Sequence, residues 1–128
     1  MLDRRFAVDF AQEWIDAWNA HDLDRILAHY ADDFTMSSPL VIERLGRDDG
    51  TIRGKEALAE YWRPSLSLEP PLVFELVDVL VGIDQMTIYY RNVGRRVVAE
   101  TLTFDHARRA VAGSSQWSAL REEGGAEP

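Results

Sequence analysis

The sequence contains no cysteine, which excludes disulfides, thiolate metal sites and cysteine nucleophiles and fits a reducing compartment. It also lacks any apolar run approaching the ~18 residues of a membrane span. Its start, Met1-Leu2-Asp3-Arg4-Arg5, has no unbroken apolar stretch of the kind that marks a secretion signal. The simplest expectation is a soluble, cytoplasmic protein with no membrane partner. Basic residues are in the minority, with 14 Lys and Arg against 22 Asp and Glu for a net charge of −8. They are scattered, whereas binding to a phosphate backbone rests on clustered cations, so no nucleic-acid partner is expected. The acidic excess reads as solubility.

Several chemical signatures are missing as well. No His-x-x-x-His or comparable spacing joins His21, His29 or His106, so no metal is expected. His21 and His106 fall in turns and His29 lies off the apolar side of its helix, which predicts exposure to solvent for all three. Gly46 to Gly54 is a loop with glycines and not a strand-to-helix phosphate cradle, and no cofactor is expected. Ser38 lacks the Gly-x-Ser-x-Gly elbow of a serine hydrolase. No repeat occurs at the period of a solenoid or propeller.

What the chain has is a clear change of period. At 128 residues it is long enough to bury about two-thirds of its unfolded surface in one core. The expected organisation is a single domain over residues 1–119 and a flexible polar tail over 120–128. Phe6, Phe10, Trp14 and Trp18 stand four apart, which lays them along one stripe of a helix over residues 4–20. Asp22 offers a cap for a short second helix carrying Leu23, Ile26, Leu27 and Tyr30. Residues 34–38 read as a brief strand stopped at Pro39, and residues 42–54 as a loop with a turn inside. A third helix starts at Lys55, with Leu58, Tyr61 and Trp62 on one side, and ends or kinks at Pro64.

After Pro70-Pro71 the helical period is lost. Strands are expected over residues 72–81, 86–92, 95–104 and 110–117, with a tight hairpin at Asn92-Val93-Gly94. Helices first and antiparallel strands after is an α+β order. The strands carry apolar residues on both faces, which points to a homodimer through the sheet: Thr87, Tyr89, Arg91, Val97, Ala99, Thr101 and Thr103 share the outer side.

Four phrases carry a family resemblance: Trp18-Asn19-Ala20-His21-Asp22-Leu23-Asp24; Tyr30-Ala31-Asp32-Asp33-Phe34 leading to Ser38-Pro39; Arg53-Gly54-Lys55-Glu56-Ala57-Leu58; and Gly94-Arg95-Arg96-Val97-Val98-Ala99. In order and spacing they resemble the nuclear transport factor 2-like superfamily, in particular its ketosteroid isomerase and polyketide cyclase (SnoaL-like) branches. The resemblance implies a cone of helices packed on a curved, mostly antiparallel sheet, cystatin-like in outline, with a pocket between them and often a dimer. The isomerases of this family use an Asp before a proline as general base, and a Tyr and a protonated Asp to hold the enolate oxygen. Here those positions carry Ser38, Trp14 and Leu102. A neutral hydroxyl does not take the proton unaided, and an indole with a leucine makes a poor oxyanion pocket, so steroid isomerase activity is not expected.

Strand parity supplies a different candidate. If Leu102 faces the pocket, Val98, Glu100 and Phe104 face it too, which puts a carboxylate among apolar neighbours. Burial disfavours its charged form, and a raised pKa suits a general acid or base near neutral pH. Glu100 is therefore the candidate catalytic residue. Trp14, Trp18, Trp62 and Trp117 are candidate pocket walls whose indole N–H groups need partners when buried; Ser38, Tyr90, Val98, Leu102 and Ser115 complete the expected lining. Two readings follow. One is a SnoaL-like enzyme performing acid–base chemistry of the isomerase, cyclase or dehydratase type on a small apolar molecule. The other is a non-catalytic small-molecule binding or dimerisation module, since a fold persists after its chemistry changes.

Overall fold

A computed structural model describes residues 1–46 and 48–120. The tail expected over residues 120–128 lies outside the described residues, except for Leu120, which is exposed. Helix α1 (Arg4–Asn19) and the short α2 (Leu23–Leu27) lead into strand β1 (Tyr30–Ser37). Helix α3 (Pro39–Leu45), the three-residue β2 (Thr51–Arg53), helix α4 (Lys55–Trp62) and a 3-10 turn (Arg63–Ser67) follow. Four eight-residue strands follow among the described residues: β3 (Phe74–Val81), β4 (Gln85–Asn92), β5 (Val97–Phe104) and β6 (Ala110–Trp117). The six strands form one sheet in the order β2-β1-β6-β5-β4-β3. The fold is thus α+β, with helices packed on a mixed sheet whose pairings are antiparallel except for β1 against β6.

Helix α1 begins where the Asp3 side chain accepts from Arg5 N and buries Ala7, Ala11, Trp14, Ile15, Ala17 and Trp18 against the sheet. Its far end is fixed by a two-way bond: Asn19 Nδ2 donates to the Phe74 carbonyl at 2.9 Å, and Phe74 N donates back to Asn19 Oδ1 at 2.7 Å. Parity along the long strands is clear. Met86, Ile88 and Tyr90 on β4 and Val98, Glu100, Leu102 and Phe104 on β5 are all buried on the helix side. Register shifts interrupt the pairing of β1 with β6, β3 with β4 and β5 with β6, and such bulges bend strands.

Four expectations need correction. Tyr30 is the first residue of β1 and not the last of α2, because its ring turns into the core beside Phe34. Residues 42–54 are not simply a loop: Ser38 caps α3 by accepting from Leu40 N, and Pro39 occupies the first turn, where its fixed φ favours a helix start; β2 then pairs with β1. His21 and His29 are partly buried, because each ring bonds a backbone carbonyl, Leu72 O at 2.8 Å and Ile26 O at 3.0 Å; His106 is exposed. Finally, Val97 is only 8% exposed within the single chain. On the outer face it is Leu80 and Tyr89 that reach solvent, at 53% and 37%.

Gly113 of β6 is closely packed. A Cβ there would lie 2.8 Å from Phe34 Cζ and 2.9 Å from Leu102 Cδ2, both on side chains with no room to retreat, at 1% and 0% exposure. Gly113→Ala is therefore expected to destabilise the fold by about 1–3 kcal/mol through overpacking, measured as a lower urea midpoint. An unchanged midpoint would mean that Phe34 repacks freely.

Candidate functional site

A partly enclosed cavity of about 70 Å³ lies between the helices and the concave side of the sheet. Glu100 is on its wall, brought there by the parity of β5, and is 6% exposed. The register sets Ser115 of β6 directly opposite Glu100, and the Ser115 hydroxyl donates to Glu100 Oε1 at 2.8 Å. Burial drives the carboxyl from its ordinary 4.5 up to about 7, and the bond from Ser115 offsets only part of that rise.

The aromatic walls come from five elements, β3 among them through Phe74. Trp14 and Trp18 of α1, Trp62 of α4, Tyr90 of β4 and Trp117 of β6 all line the cavity, as do Val98 and Ser38. The Ser38 hydroxyl oxygen is engaged as the cap of α3. Arg96 lies over the Trp117 ring with its guanidinium carbon 4.6 Å from the centroid. Leu102 is not on the wall: it is fully buried beneath it, paired with Met86 and Gly113 across its two neighbouring strands.

The positions that the isomerase comparison singled out are otherwise occupied. The Trp14 indole N–H donates to the Tyr30 hydroxyl at 2.7 Å inside the core, so it is committed to a protein partner. Tyr30 and Tyr90 are both held well above the ordinary tyrosine value, first by burial and then by the nearby charge of Glu100. Both remain protonated hydroxyls at any pH the protein meets.

Several lining residues were not foreseen, and two of them, Arg44 and Tyr61, carry strong hydrogen-bond donors. Arg44, from α3, lines the cavity from an exposed position; its Nη1 donates to the Ser65 hydroxyl at 3.4 Å and its guanidinium carbon lies 5.6 Å from the centre of the Tyr61 ring. Tyr61, on α4, is pushed up to about 12 chiefly by burial, with Arg44 pulling the other way. The Tyr61 hydroxyl and the Trp18 indole N–H are buried with no hydrogen-bond partner among the described residues. The sequence signal for Arg44 was the Ser38-Pro39 helix start; for Tyr61 it was only its place beside Trp62. Among the described residues no group of three His, Cys, Asp or Glu is placed to hold a metal ion, and no helix is long and apolar enough to cross a membrane.

A family model described as a SnoaL-like domain matches residues 11–120. A crystal structure of a SnoaL-like protein of unknown function from Burkholderia thailandensis is 44% identical, covers 91% of this chain and 98% of its own, and superposes with a TM-score of 0.87. A protein of unknown function with a cystatin-like fold from Methylobium petroleophilum is similar in fold at 17% identity, covering 95% of this chain and 86% of its own with a TM-score of 0.71. The epoxide hydrolase/cyclase-like enzyme SalBIII, described for pyran ring formation in the polyether salinomycin, is 16% identical over 96% of this chain and 98% of its own, with a TM-score of 0.72.

The raised pKa of Glu100 has a consequence for stability. Below about pH 4.5 the carboxyl is protonated in both folded and unfolded chains and costs nothing. As pH rises toward and through about 7, the unfolded chain gains by releasing this proton and the folded one resists, so stability falls. At about 1.4 kcal/mol per tenfold, the full effect is on the order of 3 kcal/mol. Glu100→Gln removes the titrating group, so its stability advantage over the wild type should grow between pH 5 and pH 8 in urea unfolding. A difference that stays constant over that range would contradict a buried, weakly acidic Glu100.

Proposed function

Since the chain belongs to the SnoaL-like domain family, we propose that it is a cytoplasmic enzyme that uses Glu100 for acid–base chemistry of the isomerase, cyclase or dehydratase type on a small, largely apolar molecule. The observation that carries this reading is a carboxylate on the wall of an aromatic cavity with a pKa of about 7, the range in which a general base or acid serves best at neutral pH. A purely structural Glu100 would be paired with a cation; instead its partner among the described residues is the neutral Ser115 hydroxyl. The likeness to a cyclase-like enzyme is a likeness of fold, and it supports the pocket without fixing the reaction.

The test is proton exchange. Incubated in D2O with a panel of small ketones and aldehydes, the wild type should accelerate exchange of the hydrogens beside the carbonyl, followed by NMR. The rate should climb as pH rises through about 7, because only ionised Glu100 accepts a proton. Glu100→Gln should slow exchange by roughly 10²–10⁴-fold. Exchange at the wild-type rate in that variant would rule out the acid–base role.

We further propose a homodimer through the outer face of the sheet. Leu80 and Tyr89 are exposed there on adjacent strands, and a two-fold contact covers such a patch with its own copy. Light scattering should give twice the 14.6 kDa of the chain, and Tyr89→Glu should return it to the single mass by setting two like charges against each other. A wild-type mass near 14.6 kDa would exclude the dimer.

A further inference from the structure

Hydrogen-bonding capacity around the cavity is unevenly distributed. The Trp18 indole N–H only donates, and it has no partner among the described residues. The Tyr61 hydroxyl is in the same state and, with burial holding it near 12, keeps its proton to donate. The guanidinium of Arg44 flanks the Tyr61 ring and the buried Ser65 hydroxyl. All four side chains line the cavity that also holds Glu100. Leaving these two buried donors unsatisfied is costly; unlike the unpaired side-chain amide of Asn92, which lies off the cavity, they belong to residues that line it, and the cost is recovered when a ligand supplies acceptors.

From this we propose that the ligand of the site is a small carboxylate, its two oxygens held by Arg44, Tyr61 and Trp18 and its short apolar body packed among the tryptophans beside Glu100. This deepens the acid–base reading above and rests on it for the role of Glu100. A carboxylate is the group that fits, because it only accepts hydrogen bonds, takes several at once, and carries the charge that a guanidinium matches. The size of the space limits the rest of the molecule. The cavity, at about 70 Å³, is about half the 150 Å³ of a cavity known to take benzene, so the body is a few carbons and not a ring system.

Binding of sodium butyrate, butyramide and 1-butanol to the full chain at pH 6, measured by calorimetry, separates the possibilities. The carboxylate should bind at least about tenfold tighter than its amide or alcohol, the margin of one charge-assisted bond. Arg44→Met, at an exposed position outside the core, should abolish that preference while leaving the melting temperature within a degree or two. Tyr61→Phe should weaken butyrate severalfold. Glu100→Gln should keep the preference for butyrate, so loss of proton exchange in that variant and loss of carboxylate preference in Arg44→Met report separately on the two readings. Equal affinity for butyrate and butyramide, no saturable butyrate binding, or an undiminished preference in Arg44→Met would each overturn the proposal.

Discussion

Trp14 is the side chain on which the arrangement turns. It stacks on Phe74 at 5.7 Å, meets Tyr90 at 5.2 Å and Trp18 at 5.9 Å, and donates to the Tyr30 hydroxyl. One residue of α1 thereby touches β1, β3 and β4, at opposite ends of the sheet order. Aromatic pairs at such separations prefer tilted or offset geometries and add specificity beyond the area they bury. With the Asn19–Phe74 backbone clamp one helical turn further on, this fixes how closely the helix approaches the sheet and leaves the cavity between Trp18, Trp62 and β5. The indole bond to Tyr30 also spends the Trp14 donor inside the protein, so at this position α1 offers the cavity only ring surface.

Much of this was legible from periodicity. A row of aromatics at intervals of four gave α1 to within a residue, and alternation gave β6 outright and β4 and β5 to within two residues, together with the inward direction of Glu100. These signals are local and strong because one side of each element is buried. The misses are where tertiary pairing overrides local pattern. Tyr30 fits a helical interval after Ile26, yet its pairing with Ala110 of the parallel neighbour β6 draws it into the sheet. The polar stretch around Asp48 and Asp49 reads as loop, and it conceals a short helix before it and a short strand after it. Arg44 reaches the cavity from α3, whose Ser38-Pro39 start is a local signal for the helix but not for where its side chains end up. Leu102 illustrates the limit of parity: it gives the face but not whether a neighbour such as Phe34 stands in front.

Charge is distributed in keeping with this geometry. The chain is acidic overall, and its surface pairs such as Arg25 with Glu13 at 2.7 Å are largely exposed, where an ion pair is worth little. Of the groups whose acidity is most displaced, Glu100, Tyr61 and Tyr90 line one cavity, and Tyr30 lies behind its wall, bonded to Trp14. The first cause is the same for all four: burial disfavours the charged form.

The parallel pairing of β1 with β6 carries a consequence for how the protein is made. Strand β1 contains Phe34 and Met36, which end up almost wholly buried, but one of its two partners is the last strand of the sheet. Until some eighty residues more have been synthesised, β1 has only the three residues of β2 beside it and an unpaired edge on the other side. Contacts so far apart in sequence form late and slow folding, and an exposed apolar strand edge is the feature by which nascent chains associate wrongly. The acidic Asp32 and Asp33, exposed on that same strand, place like charges where two such edges would meet, and so act as a guard on the chain before it is complete.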